Sequence, residues 1–124
     1  MPSENSRMES GTLEKTVIFI RSESIGRGDD ELGSSLMLNF MHHLSEAGPL
    51  PGIMILMNAG VKLVADDSEI LDSLKQLEEK GTKILACGTC LDFFGIRDRQ
   101  SVGRASNMPE ITKTLLAASR VITI

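Results

Sequence analysis

Residues 83–95 read KILACGTCLDFFG, and this stretch decides the fold. It holds both cysteines of the chain, Cys87 and Cys90, in a C-x-x-C spacing where a short apolar run gives way to a helix start. Ile84 to Ala86 is short, apolar and preceded by Gly81 and Thr82, which reads as a buried strand. A thiol at such a strand end meets the unpaired backbone N–H groups of the following helix. That setting lowers a cysteine pKa from about 8.5 toward the ~3.5–7.5 range. Reactive chemistry is therefore expected here.

The flanking segments repeat the same alternation. Upstream, Asp67 or Ser68 caps a helix with Ile70, Leu71, Leu74 and Leu77 as its core stripe, closed by Lys80-Gly81. Before it, IMILM (53–57) is a second buried strand leading into Asn58-Ala59-Gly60, with a helical turn over 61–65. Further upstream, TVIFIR (16–21) is the first strand, followed by the loop 22–30 with Gly26 and Gly28. Asp29 or Asp30 then caps an amphipathic helix in which Leu32, Leu36, Phe40 and Leu44 recur every four residues. Met37 and Met41 widen the stripe, and Gly48-Pro49 ends the helix. Downstream, 102–105 reads as a short strand and Ser106-Asn107-Met108-Pro109 as a helix start. Ile111, Leu115 and Ala118 face inward, and RVITI (120–124) is the last strand.

Strands alternating with helices predict a single-domain, three-layer α/β/α fold. Its sheet is mostly parallel, of about five strands, with flavodoxin-like layering. Residues 1–14 read as a disordered tail or linker and 15–124 as the domain. Functional groups in such folds gather beyond the carboxyl ends of the strands, near a topological switch point. The loops 22–28, 58–60 and 87–90 are therefore expected to converge. The lining is then Ser24, Gly26, Gly28, Asn58, Gly60, Gly88 and Thr89, beside Cys87 and Cys90.

Composition narrows the function. The 124 residues carry a net charge of −4 with a pI near 5.1, which argues against nucleic acid. Four Phe with no Trp or Tyr leave no aromatic platform for a flavin or a nucleoside. No apolar run approaches the ~18–20 residues of a membrane span. The polar first fifteen residues contain no signal-peptide core, so a cytoplasmic protein with reduced thiols is expected.

The remaining motifs are weighed by spacing. Gly26-x-Gly28 fails the G-x-G-x-x-G pattern, and Asp29, Asp30 and Glu31 would repel a phosphate. Zinc would need two ligands beyond the cysteines. His42 and His43, adjacent on a helix, point ~100° apart, so no metal is expected. A C-x5-R phosphatase loop is absent, because Phe93 and Ile96 stand six residues after Cys87 and Cys90. The basic group Arg97, Arg99 and Arg104, with Asp98, is either a solvated face or a contact for an anionic substrate or partner. The cysteines are left as inert core thiols, a thioredoxin-like redox pair, or a persulfide-type sulfur carrier.

The stretches IRSESIGRGDDELGSSLMLNF, ILMNAGVKL, ILACGTCLDFFGI and VGRASNMPEI run through essentially the whole chain from Thr16 onward. On these the chain resembles the DsrE/DsrF-like sulfur-relay superfamily, most closely the C-terminal domain of YedF-type selenium-metabolism proteins. The resemblance implies a small parallel α/β fold assembled into trimers or hexamers. It also implies a persulfide carried on a strand-end cysteine that is followed eight residues later by glycine, which Cys87 with Gly95 matches. Cys90 lies outside the general relay pattern, and its role stays open between resolving, protecting and replacing Cys87. YedF-type chains carry an N-terminal TusA-like domain that these residues lack, which implies a single-domain relative or an excised fragment.

The expected function is a sulfurtransferase-like carrier of sulfur or selenium without cofactor, exchanging with donor and acceptor proteins and forming a homo-oligomer. The alternatives are a thiol–disulfide oxidoreductase using the C-x-x-C pair and a non-catalytic, redox-sensing interaction module. Cys87, nearest the strand end, is expected to be the more reactive thiol, with Cys90 partly buried.

Overall fold

A computed structural model describes residues 12–124. Most of the expected tail, 1–14, lies outside the described residues. Its last three belong to the first strand, β1 (Thr12–Ile20), which begins four residues earlier than the apolar pattern suggests. The early part pairs irregularly: β1 advances from Leu13 to Val17 while β2 (Leu50–Leu56) advances only from Pro51 to Ile53. Gly52 permits this bulge, since a Cβ there would collide with the Glu14 backbone. The polar residues Glu14 and Lys15 occupy the bulge, which is why hydropathy alone starts the strand at Thr16.

The other strands are β3 (Lys83–Cys87), β4 (Arg104–Ser106) and β5 (Arg120–Thr123). All pairings are parallel, in the order β4-β3-β2-β1-β5. The chain therefore steps one way from β1 to β4 and then returns across the sheet to β5. With right-handed crossovers, this puts α1 (Asp30–Glu46), α2 (Leu71–Glu79) and α3 (Gly88–Phe93) on one face. It puts α4 (Met108–Ala117) on the other. The domain is a five-stranded, all-parallel α/β sheet flanked by helices. The strand order reverses at β1, between β2 and β5. The cysteines, at the end of β3, stand beside β2 and away from that reversal. No helix among the described residues is long and apolar enough to cross a membrane.

The core explains the element boundaries. Ile55, Leu56 and Met54 of β2 and Ile84, Leu85 and Ala86 of β3 are buried together with Val17, Ile18 and Ile20 of β1. Burying each such side chain contributes roughly 1.5–3 kcal/mol, enough to hold a continuous apolar strand between two layers. Asp29 caps α1 by accepting the Leu32 N–H at 2.7 Å. Asn107 caps α4 by accepting the Glu110 N–H at 2.9 Å, with Pro109 in the first turn.

The inward face of α1 differs from the leucine count. Its buried line is Gly33, Met37, Met41 and Ser45, whereas Leu32 is 58 % exposed and Leu36 also faces outward. The helix is rotated by about one residue from the expected stripe, or ~100°. Gly33 sets this phase: the Ile25 N–H donates to its carbonyl at 3.1 Å, and a Cβ there would lie 2.8 Å from Ser24 Cβ. The glycine lets the loop after β1 lie directly against the helix.

Candidate functional site

β3 ends because Cys87 is its last extended residue (φ −60°, ψ 119°) and α3 begins at Gly88. Gly88 has no room for a side chain. A Cβ there would sit 2.7 Å from Arg97 Nη2 and 2.9 Å from the Ser106 carbonyl oxygen. Arg97 fills that space. Its Nη2 donates to the Gly88 carbonyl at 3.1 Å, while Nε and Nη2 donate to the two Asp92 carboxylate oxygens at 2.7 and 3.0 Å. One guanidinium thus ties the first residue of α3 to its last turn and fixes the C-x-x-C segment in place. Gly95, at φ 66°, closes the segment, donating its N–H to the Asp92 carbonyl.

Both cysteines are free thiols, but they differ in access: Cys87 is 3 % exposed and Cys90 is half-buried. Cys87 pairs with Ser106 of β4 across the sheet. Cys87 stands near enough to Cys90 to influence its titration. Cys90 Sγ also accepts the backbone N–H of Asn58 at 3.2 Å. Asn58 opens the 3₁₀ segment after β2 (Asn58–Val64) with φ 52°, a left-handed conformation that Asn tolerates better than most residues. That backbone turn aims the N–H at the sulfur.

The Cys90 thiol lies above its ordinary pKa, opposite to the lowering expected for a thiol at a helix start. Burial is the largest cause, and the neighbouring Cys87 thiol adds to it. The Asn58 N–H pulls the other way and offsets only part of the rise. Cys90 is accordingly held mainly as the neutral thiol near pH 7.

Of the expected lining residues, Asn58 reaches the sulfur directly and Gly88 and Thr89 lie between the two cysteines. Gly60 is buried against β1, where a Cβ would come within 2.6 Å of the Ile20 carbonyl oxygen. It lets the turn after β2 fold over the end of β1. Ser24 packs against α1 at Gly33, and Gly26 and Gly28 have φ values of 78° and 136°. The Glu23–Lys62 ion pair at 3.6 Å links their loop to the 3₁₀ segment. Lys62 also stands 4.6 Å above the Phe94 ring of the C-x-x-C segment.

The arginines expected as a solvated or anion-binding group are each paired. Arg97 is held by Asp92, Arg99 by Asp66 and Asp67, and Arg104 by Glu110. Glu110 also accepts the Ser106 hydroxyl proton at 2.5 Å. Arg104, then Ser106, hold its carboxyl down at about 2. The Arg97 tether and the Asn58 donor were not singled out as such from sequence. Arg97 lies nine residues after Gly88 and Asn58 thirty-two before Cys90, so only the folded chain joins them. His42 and His43 are both exposed on α1. Among the described residues, no three His, Cys, Asp or Glu side chains gather as a metal would require.

Comparison with known proteins agrees with this architecture. The structure of YchN from E. coli superposes with a TM-score of 0.61 at 20% identity, covering 90% of this chain and 100% of that one. MTH1491 of Methanobacterium thermoautotrophicum, a protein of unknown function, gives 0.62 at 20% identity over 88% of this chain and 97% of its own. BT1422 of Bacteroides thetaiotaomicron, also of unknown function, gives 0.60 at 18% identity over 89% and 95%. At these identities the likeness is one of fold. No curated protein matches the chain. Residues 28–124, from the cap of α1 through the cysteine segment to the last strand, match the DsrE/DsrF-like family, and the chain belongs to that family.

Proposed function

We propose that this protein is a sulfur-relay carrier that binds a sulfane sulfur as a persulfide on its C-x-x-C segment and passes it to a partner protein. The observation that carries this reading is the thiol pair at the carboxyl end of β3: Cys90 half-buried and hydrogen-bonded by the Asn58 N–H, and Cys87 buried at the strand end. Membership of a family associated with sulfur relay supports it. No histidine or lysine hydrogen-bonds either thiol among the described residues, which suits exchange between sulfurs better than hydrolysis.

The finer assignments belong to the same proposal. Within the family the chain is placed nearest the YedF-type C-terminal domains, with selenium as an alternative cargo and the cytoplasm as its compartment. Donor and acceptor are proteins bearing persulfide or thiol groups, a TusA-like carrier domain among them. Phe93, 82 % exposed three residues beyond Cys90, supplies an apolar contact for such a partner. Homo-oligomerisation is supported by the outward Leu32, Leu36 and Leu38 of α1. By spacing to Gly95, the family pattern points to Cys87 as the carrier, whereas access points to Cys90 as the thiol a donor meets first.

The test is transfer. Donor persulfide bearing labelled sulfane sulfur, a thiol acceptor and catalytic amounts of the protein are mixed, and label on the acceptor is followed in time. The wild type accelerates transfer, and a Cys87→Ser/Cys90→Ser double variant does not. Equal rates with both proteins would exclude relay. Disulfide formation without transfer would favour thiol–disulfide exchange, the reading for which the adjacent thiols also speak.

A further inference from the structure

The two sulfurs are unequal in a way that divides their labour. Cys90 is half-buried and its sulfur meets a backbone N–H donor from a different loop; Cys87 is 3 % exposed and occupies the end of β3. Cys87 is the residue before α3 and Cys90 the third residue in it. A C-x-x-C pair with its first cysteine at the helix cap and its second in the first turn is the arrangement in which thiol–disulfide redox motifs join their two sulfurs.

We propose that Cys90 takes up the sulfane sulfur, and that Cys87 discharges it as hydrosulfide when no acceptor claims it. This assignment rests on the sulfur-relay reading above and adds to it a reductive release that a single-cysteine carrier cannot perform. In the uptake step, the Cys90 thiolate attacks the terminal sulfur of a donor persulfide. A bond forms between Cys90 Sγ and that sulfur, the donor's S–S bond breaks, and the donor leaves as its thiolate. In the discharge step, Cys87 loses its proton to solvent and attacks Cys90 Sγ. The Sγ–Sγ bond forms, the bond to the terminal sulfur breaks, and the electron pair departs with it as hydrosulfide. The sulfane sulfur is reduced to sulfide and the two cysteine sulfurs are oxidised to a disulfide, so no other oxidant enters. A dithiol reductant then restores the thiols.

The geometry favours this order over its reverse. A protein-borne persulfide reaches Cys90 from solvent but is blocked from Cys87 by the residues that bury it. Once loaded, the terminal sulfur on Cys90 stands on the solvent side, where an acceptor competes for it. Cys87, held in the interior, attacks the inner sulfur instead, and attack there expels the outer one.

The test uses glutathione persulfide as donor, with rapid alkylation to trap products, intact mass and fragment analysis, and a hydrosulfide probe. The full-length wild type is expected to carry the first trapped sulfur on Cys90, then to release hydrosulfide while losing two hydrogens per chain. Cys87→Ser should accumulate a stable one-sulfur adduct and release at least about tenfold less hydrosulfide. Cys90→Ser should load about tenfold more slowly, because a donor persulfide has little access to the buried Cys87. Fragment analysis of the wild type decides the order of loading even if Cys87→Ser does not fold. A first sulfur on Cys87, or a stable wild-type persulfide without hydrosulfide, would overturn this division while leaving relay intact. Uptake by neither the wild type nor any variant would remove the relay reading itself.

Discussion

At the residue scale, the C-x-x-C spacing was legible in the sequence, but which sulfur faces solvent was not. Local spacing places Cys87 at the strand end and Cys90 in the following turn, and the fold confirms both positions. Access depends on long-range packing, in which β4 pairs beside Cys87 and the Asn58 turn reaches Cys90. Because Cys87 raises the Cys90 pKa, Cys87→Ala is predicted to move the Cys90 alkylation midpoint to lower pH. An unchanged or higher midpoint in the pH–rate profile would contradict the contact between the thiols. A second titration is that of Glu110, held by Arg104 and Ser106 at about 2 from an ordinary 4.5. A carboxyl depressed on folding stabilises the protein above its unfolded pKa, and that stability is lost as pH falls through its folded value. The pair is largely in water, so the contribution is expected to be no more than about 1 kcal/mol. Denaturant melts should show wild type more stable than Glu110→Gln at pH 7, with the gap closing between pH 4.5 and 2.

At the element scale, alternation located nearly every strand and helix, and Asp29 and Asn107 cap α1 and α4 as their sequence positions suggested, whereas α2 starts at Leu71 with Ile70, not Asp67 or Ser68, at its cap. The phase of α1 was not legible. Its leucines recur every four residues, yet the helix turns Gly33, Met37 and Met41 inward because Gly33 alone accepts the loop at Ser24 and Ile25. The start of β1 was hidden for a related reason, since its bulge carries polar Glu14 and Lys15. Met37 is fully buried while Leu32 is mostly exposed. Met37→Ala is therefore expected to cost about 2–5 kcal/mol in urea melts, and Leu32→Ala well under 1 kcal/mol at concentrations that keep chains apart. Equal costs would mean that the helix is seated on its leucines after all.

At the scale of the whole molecule, continuous apolar strands separated by helices announced a parallel sheet, because only strands covered on both faces lack polar alternation. The strand order and the place of the cysteines, two strands from the reversal at β1, follow from pairings that no local pattern encodes. A single chain leaves Leu32, Leu36 and Leu38 of α1, together with Leu116 and Phe93, exposed, and the proposed homo-oligomer would cover some of them. Light scattering at micromolar concentration is expected to give a multiple of 13.5 kDa, and a monomer mass throughout would contradict homo-oligomerisation. The central claim is that the thiol pair carries sulfane sulfur, and intact mass tests it most directly. Reduced protein is mixed with a donor persulfide, trapped by alkylation within seconds and weighed. The account predicts one added sulfur on the wild type and none on the Cys87→Ser/Cys90→Ser variant; a wild type that gains no sulfur at any time, early or late, would contradict it.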